Sequence, residues 1–175
     1  MRAELTGFPS IDKPCLKYYG EEVLHRPLPE GSMYDYLTSC NVDWLDSVAL
    51  NYFGKKVTHR HMQEKIDACA RALTAYGVRA GDAVSLCVLA MPEAVYLLYA
   101  INKIGAIANM LVMNATEAEI HEKLAVTESK VVITVDLALE KIVQASKETS
   151  VKHIIGVSLA ESMPCVIGML YKWKS

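Results

Sequence analysis

His59-Arg60-His61 sets two imidazoles close together, and the chemistry that this suggests is metal ligation. The spacing argues against it. Residues two apart on a helix point in different directions, and no third ligand lies nearby in sequence. These histidines read as surface groups in a first helical turn. Nucleophilic catalysis finds no better footing, because Ser10, Ser32 and Ser85 all lie outside a G-x-S-x-G setting. The five cysteines, Cys15, Cys40, Cys69, Cys87 and Cys165, contain no C-x-x-C pair, and their odd number suits reduced thiols. Cys69 falls on the apolar face of an expected helix and Cys87 within an expected strand, where a thiol packs as a small hydrophobe.

Phosphate binding by a glycine-rich turn is also absent from the sequence: neither G-x-G-x-x-G nor G-x-x-x-x-G-K-[ST] occurs. What remains is a set of strand ends, Leu89-Ala-Met-Pro92, Val112-Met-Asn-Ala115 and Val135-Asp136. In an open α/β sheet, ligands bind outside such ends. Asn114 and Asp136 stand where they would meet one, and both also suit turns and helix caps. Met91, Met110 and Met113 gather at the same ends, as lining for a flexible apolar acyl group or as ordinary core. Glu21-Glu22 and Lys55-Lys56 read as solvated charges. On this reading no residue is assigned a catalytic, cofactor-binding or metal-binding role.

The elements that must position these groups follow from periodicity. Pro9, Pro14, Pro27, Pro29 and Gly31 interrupt the start, so an irregular lead is expected over residues 1–47. It contains one short helix, Met33 to Cys40, capped by Ser32. An α/β core is expected over residues 48–158. It opens with a β-hairpin turning at Gly54-Lys55-Lys56 and a helix from His59 to Tyr76 capped by Thr58. Val84 to Leu89 is an apolar run of the buried parallel kind, and Pro92 opens a helix that Gly105 ends. Ala106 to Val112 is the next strand, and Thr116-Glu-Ala-Glu119 has the form of a capping box. Val131 to Val135 follows, then a helix capped by Asp136 with Leu139, Ile142 and Val143, then a strand at His153 to Val157. Such alternation predicts an α/β fold with a mostly parallel sheet and helices on its faces. Residues 159–175 lose the regularity and read as a truncated tail or the start of a further segment.

Composition bounds the rest. With 52% hydrophobic residues the chain can build a core, and a net charge of −2 leaves no basic footprint for nucleic acid. The start carries Glu4 and Asp12 and lacks an apolar signal region. The uncharged stretch from Ile104 to Thr116 is shorter than the roughly 18 residues of a spanning helix. A cytoplasmic protein is expected.

From residue 50 onward the order of segments resembles the adenylate-forming enzyme superfamily. The segments are Val57-Thr58, Gly77-Val-Arg-Ala-Gly-Asp-Ala-Val84, Met91-Pro-Glu-Ala-Val95, Asn102-Lys-Ile-Gly-Ala-Ile-Ala108 and Lys130-Val-Val-Ile-Thr-Val135. The lead, with Pro14-Cys-Leu-Lys-Tyr-Tyr19, Ser32-Met-Tyr-Asp-Tyr36 and Asn51-Tyr-Phe-Gly-Lys55, is similar to the bacterial fatty-acid type of AMP-forming acyl-CoA synthetase, as is Glu161-Ser-Met-Pro164. His59, Met91 and the run Leu111-Val-Met-Asn-Ala115 depart from the family pattern. The resemblance implies a parent enzyme that joins a carboxylic acid to ATP, releasing pyrophosphate, and then passes the acyl group to CoA. ATP, Mg²⁺ and CoA would serve that parent, and the remainder of the same polypeptide would be this segment's partner. The family's phosphate loop, acidic metal residue, ribose-binding Asp and C-terminal lysine have no counterpart here, so the segment alone is expected to be inactive. An aryl-CoA ligase or adenylation domain, or a stand-alone α/β binding module, are the alternatives. An incomplete sheet would leave apolar surface and an unpaired edge, so self-association is expected.

Overall fold

The structure is a computed structural model describing residues 6–164, 168, 169 and 171. It divides into two compact units, Met1–Glu30 and Gly31–Ser175. In the first unit the prolines begin turns as well as ending them. Pro9 and Pro14 occupy first-turn positions of helix α1 (Pro9–Asp12) and a 3₁₀ turn (Pro14–Tyr18), where a missing N–H costs nothing. Lys13 joins the two in a left-handed conformation, and α2 (Glu21–Leu24) follows. The Asp12 carboxylate accepts bonds from the Thr6 and Gly7 N–H groups, at 2.9 Å each. Those bonds and the Thr6 hydroxyl hold it below the usual carboxylate range.

The second unit begins with α3 (Met33–Cys40), closed by a reciprocal capping box between Ser32 and Asp35. The hairpin strands are β1 (Val48–Tyr52) and β2 (Lys55–Thr58). Its turn sits at Phe53-Gly54, one residue earlier than the sequence suggests, and Lys55 and Lys56 belong to the strand. Both turn residues have positive φ, +49° and +85°, which is the twist that a two-residue hairpin loop needs. The Asn51 side chain accepts the Gly54 N–H at 3.1 Å and supports this turn.

Next come α4 (His59–Ala75), β3 (Ala83–Cys87), α5 (Pro92–Ile104), β4 (Ile107–Met110), α6 (Glu117–Thr127), β5 (Val131–Val135), α7 (Leu139–Ala145) and β6 (His153–Val157). The last four strands form one parallel sheet in the order β4-β3-β5-β6. The fold is α/β, with α4 and α5 on one face and α6 and α7 on the other. Strand alternation builds both layers: Val84 and Leu86 of β3 pack with Ile66 and Ile101, while Cys87 faces Ile120, Leu124 and Ile142. Each such fully buried aliphatic side chain contributes about 1.5–3 kcal/mol. Asp136 does not cap a long helix. It starts a 3₁₀ turn (Asp136–Ala138), and Ala138 precedes α7 without a side-chain cap. Leu139 and Val143 stay partly exposed, so only Ile142 of the three expected apolar positions is core.

The amino ends of the strands are fastened by residues from the motif segments. Asp82 accepts the Lys130 ammonium at 2.8 Å, joining the starts of β3 and β5, and accepts the Arg79 N–H at 2.9 Å. The Lys130 and Arg79 bonds hold its carboxyl below the ordinary range. Gly105 ends α5 at φ +79°, where an added Cβ would lie 3.3 Å from the Ala80 methyl, and its carbonyl accepts the Gly81 N–H. Asn102 accepts the Tyr34 N–H at 2.8 Å, and Lys103 bonds Asp67 and the Tyr34 hydroxyl, tying α3 and α4 to α5. Within the sheet, the buried Ser85 donates to Ser129 and receives Asn109, each at 2.8 Å. Ser85 is thus a structural linker, satisfied on both sides.

Candidate functional site

Strand order locates the crevice. The chain leaves β3 toward one neighbour through α5 on one face, and leaves β5 toward the other through α7 on the opposite face. The connections after these two adjacent strands therefore diverge, and in open α/β sheets such a divergence is the place at whose carboxyl ends ligands bind. At that point the Thr134 hydroxyl donates to the Cys87 carbonyl at 3.2 Å and ties the two strand ends together.

Two carboxylates flank these strand ends. Glu93 sits in the first turn of α5, placed there by Pro92 at the opening position. One of its oxygens accepts the Ser162 hydroxyl, and the other is buried without a hydrogen-bond partner among the described residues. An unpaired buried carboxylate oxygen is costly, and such exceptions mark places where a donor is missing. Asp136 at the end of β5 accepts its neighbour's N–H (Leu137, 2.9 Å), the Ser158 hydroxyl (3.2 Å) and the Tyr171 hydroxyl (3.0 Å). The segment after β6 thus crosses the strand ends: Leu159, Ala160 and Ser162 are buried, and Met163 and Tyr171 pack against the α6–α7 layer. Cys165 and positions 166, 167, 170 and 172–175 of the tail lie outside the described residues.

The third strand end is held differently. Lys141 of α7 donates to the carbonyls of Met113 and Ala115, at 2.9 and 3.1 Å, and fixes the turn from 112 to 115. Asn114 is exposed in that turn and does not cap α6, because Thr116 and Glu119 form the capping box. The methionines separate. Met91 is core, Met113 lies 3.6 Å from the Cys87 sulfur, and Met110 is 54% exposed on an edge strand. They do not line one pocket.

Electrostatics suits binding better than covalent chemistry. Burial pushes the Cys69 thiol up, with Glu93 adding to it and Lys65 opposing. Burial likewise raises Cys87, against the opposing Thr134 bond and Lys141. Thiols shifted upward are poor nucleophiles near neutrality. The Tyr52 and Tyr96 phenols are raised by burial and then by Glu93. His61 bonds Glu64 at 3.3 Å and Arg60 bonds Asp46, so the histidine pair shares no ligand position. No group of three or more His, Cys, Asp or Glu side chains among the described residues is placed to hold a metal ion. Glu93, Ser158, Ser162 and Lys141 were not singled out by the sequence. Glu93 and Ser162 do fall within the segments 91–95 and 161–164 that carry the family resemblance.

With this geometry in hand, the comparisons are specific. Residues 39–168 match the family model described as AMP-binding enzyme, and the chain belongs to that family. Acetyl-coenzyme A synthetase 1 of Candida albicans is 30% identical over 98 residues, 56% of this chain and 14% of that protein. Acetyl-coenzyme A synthetase 1 of Debaryomyces hansenii is 35% identical over 72 residues, 40% of this chain and 11% of that protein. Among solved structures, the anthranilate CoA ligase AuaEII in complex with anthranoyl-AMP matches with a TM-score of 0.70 and 25% identity, over 74% of this chain and 26% of that one. The N-terminal domain of FACL13 from Mycobacterium tuberculosis shares the fold, with a TM-score of 0.68 and 23% identity over 82% of this chain and 36% of that one. The chain spans well under two thirds of the length of each of these relatives. No helix of the described residues is long and apolar enough to cross a membrane.

Proposed function

We propose that this chain is the N-terminal part of a cytoplasmic, AMP-forming acid–CoA ligase whose acid is a fatty acid, with ATP, Mg²⁺ and CoA as the parent's co-substrates and cofactor. The observation that carries the reading is the match of residues 39–168 to the AMP-binding enzyme family, with the connections diverging after the adjacent strands β3 and β5. The fatty-acid choice is supported by the lead segments around Pro14–Tyr19 and Ser32–Tyr36. A short or aromatic acid is the second reading. Relatives named acetyl-coenzyme A synthetase and anthranilate CoA ligase favour it.

By this reading the chain contributes a sheet and part of a binding wall, and does not catalyse alone. Stabilising the charge of phosphoryl and acyl transfer needs aimed N–H groups, a metal and a cation together. Neither glycine-rich phosphate motif occurs in the sequence. The test is ATP–pyrophosphate exchange. The 175-residue chain is expected to give none with fatty, acetic or aromatic acids. A longer protein containing this segment is expected to exchange fastest with a fatty acid. Exchange by the short chain would overturn its assigned inactivity, and a parent preferring acetate or an aromatic acid would overturn the fatty-acid choice.

A further inference from the structure

Natural sheets blunt an exposed edge with a charge, a proline or a bulge, because its free N–H and C=O groups otherwise pair with another strand. The β4 edge of the parallel sheet carries none of these. It pairs in unbroken register with β3, and neither a charged residue nor a proline occurs from Ile104 to Thr116. Ile107, Met110 and Val112 are exposed along it. We propose that two copies of this chain join through their β4 edges, antiparallel and about a two-fold axis, into one continuous sheet.

Backbone geometry supplies the first argument. The Ile107 N–H donates to the Asp82 carbonyl at 2.9 Å, and the Leu111 N–H donates to the Leu86 carbonyl at 2.8 Å. Successive residues of a strand turn their N–H and C=O groups to alternate sides. Residues 107, 109 and 111 therefore serve β3, while Ala108 and Met110 turn theirs outward. Among the described residues nothing pairs with these outward groups. The opposite edge, β6, is a weaker template. It follows Lys152, begins at His153, and carries Gly156, which has no side chain to pack across an interface.

The second argument is that this edge fits its own copy. With the two-fold axis at Asn109, Ala108 lies opposite Met110 of the second copy, and Met110 opposite its Ala108. Directly opposed outward residues exchange both hydrogen bonds in an antiparallel pair, so every outward N–H and C=O of Ala108 and Met110 is used at once. The long Met110 side chain then lies beside the short Ala108 of the second copy, on the same face of the sheet. A two-fold interface sets each group near its own kind, and an uncharged segment brings no like charges together. A later strand of a longer polypeptide is the rival occupant of this edge. The inference does not rest on the ligase reading.

The test is analytical ultracentrifugation of the 175-residue chain over about 5 to 200 µM, where a monomer–dimer equilibrium is expected. Ala108→Pro removes an N–H that no group of the single chain uses, a change that edge strands tolerate. It is expected to weaken the dimer about tenfold or more. Met110→Lys supplies the missing charge at an exposed position and is expected to weaken it about fivefold or more, which keeps the test alive if the proline variant fails to fold. Gly156→Pro alters the β6 edge, where an added Cβ meets only Leu139 at 3.9 Å, and is expected to weaken association by less than about twofold. The register has its own readout, in a background where Cys15→Ser and Cys40→Ser remove the exposed thiols. An Ala108→Cys chain mixed with a Met110→Cys chain is expected to give a disulfide-linked mixed dimer on mild oxidation, in excess over either chain alone. A monomer at every concentration would overturn the proposal and leave this edge to a strand of the longer polypeptide. A folded Met110→Lys variant that still dimerises as tightly, a larger loss at Gly156→Pro, or no excess of the mixed dimer would overturn it as well.

Discussion

The two ends of the parallel sheet differ in kind. At the amino ends a set of polar groups is tied within the fold: Asp82 with Lys130 and Arg79, Gly105 against Ala80 and Gly81, Asn102 with Tyr34. At the carboxyl ends Glu93 keeps an unpaired buried oxygen, Asp136 is met by hydroxyls of the segment after β6, and Asn114 is exposed. Of the segments that carry the family resemblance, 77–84, 102–108 and 130–135 lie at the fastened end, and 91–95 and 161–164 at the open end. Met91 and the 111–115 run, two of the departures from the family pattern, lie at the open end. One end is built for stability, and the other retains unspent polar capacity, which is the usual sign of a place reserved for binding.

The sharpest way to break this contrast is at Gly105. Changing Gly105→Val forces a β-branched residue to φ +79° and drives a side chain toward the Ala80 methyl. A loss of about 2–4 kcal/mol is expected in urea denaturation. A loss below about 1 kcal/mol would show that the amino end tolerates strain and that its motif has another purpose. Next, Asn102→Ala leaves the Tyr34 N–H without its acceptor and should cost about 1–2 kcal/mol by the same measurement.

Smaller effects are expected at the carboxyl end. Glu93→Gln removes a charge whose second oxygen has no donor, so stability should stay within about 0.5 kcal/mol of the parent or rise. A clear loss would mean that this carboxylate serves the fold. Acid provides a further comparison. Asp67 and Asp82 are held below the ordinary value of 3.8, chiefly by Lys103 and Lys130 respectively. Their contribution is fully present above that value and is lost as pH falls through the lower folded-state value. Asp67→Asn with Asp82→Asn should therefore flatten the acid limb of a stability–pH curve below about pH 4. An unchanged acid limb would remove these pairs from the account. Last, a β6 edge that is unpaired among the described residues and the exposed Ile107 and Met110 of the β4 edge predict concentration-dependent association, measurable by light scattering. A clean monomer at high concentration would count against it.

Legibility followed the range of the interactions. Helices α3 to α6 were readable because their signals are local: Ser32, Thr58 and Thr116 cap where expected, and Gly105 ends α5 in the left-handed conformation. The hairpin was readable but its turn was displaced. Phe53 adopts positive φ only because the strand pairing beside it compensates, and nothing in the residue type announces that. The candidate site was legible only in outline. Strand ends could be marked, but not that Ser162 would travel back to Glu93, or Ser158 and Tyr171 to Asp136.

By itself the sequence determined the alternation of strands and helices, hence the α/β class, and the absence of a glycine-rich phosphate turn. Those are local facts, written in periodicity, caps and short motifs. Tertiary structure alone decided the strand order, the face each helix covers and the point where the connections diverge. It also left one Glu93 oxygen without a donor and turned the backbone groups of Ala108 and Met110 outward on an edge with no partner among the described residues. Such outcomes depend on contacts between residues far apart in the chain, and side-chain identity at one position does not encode which distant group will meet it.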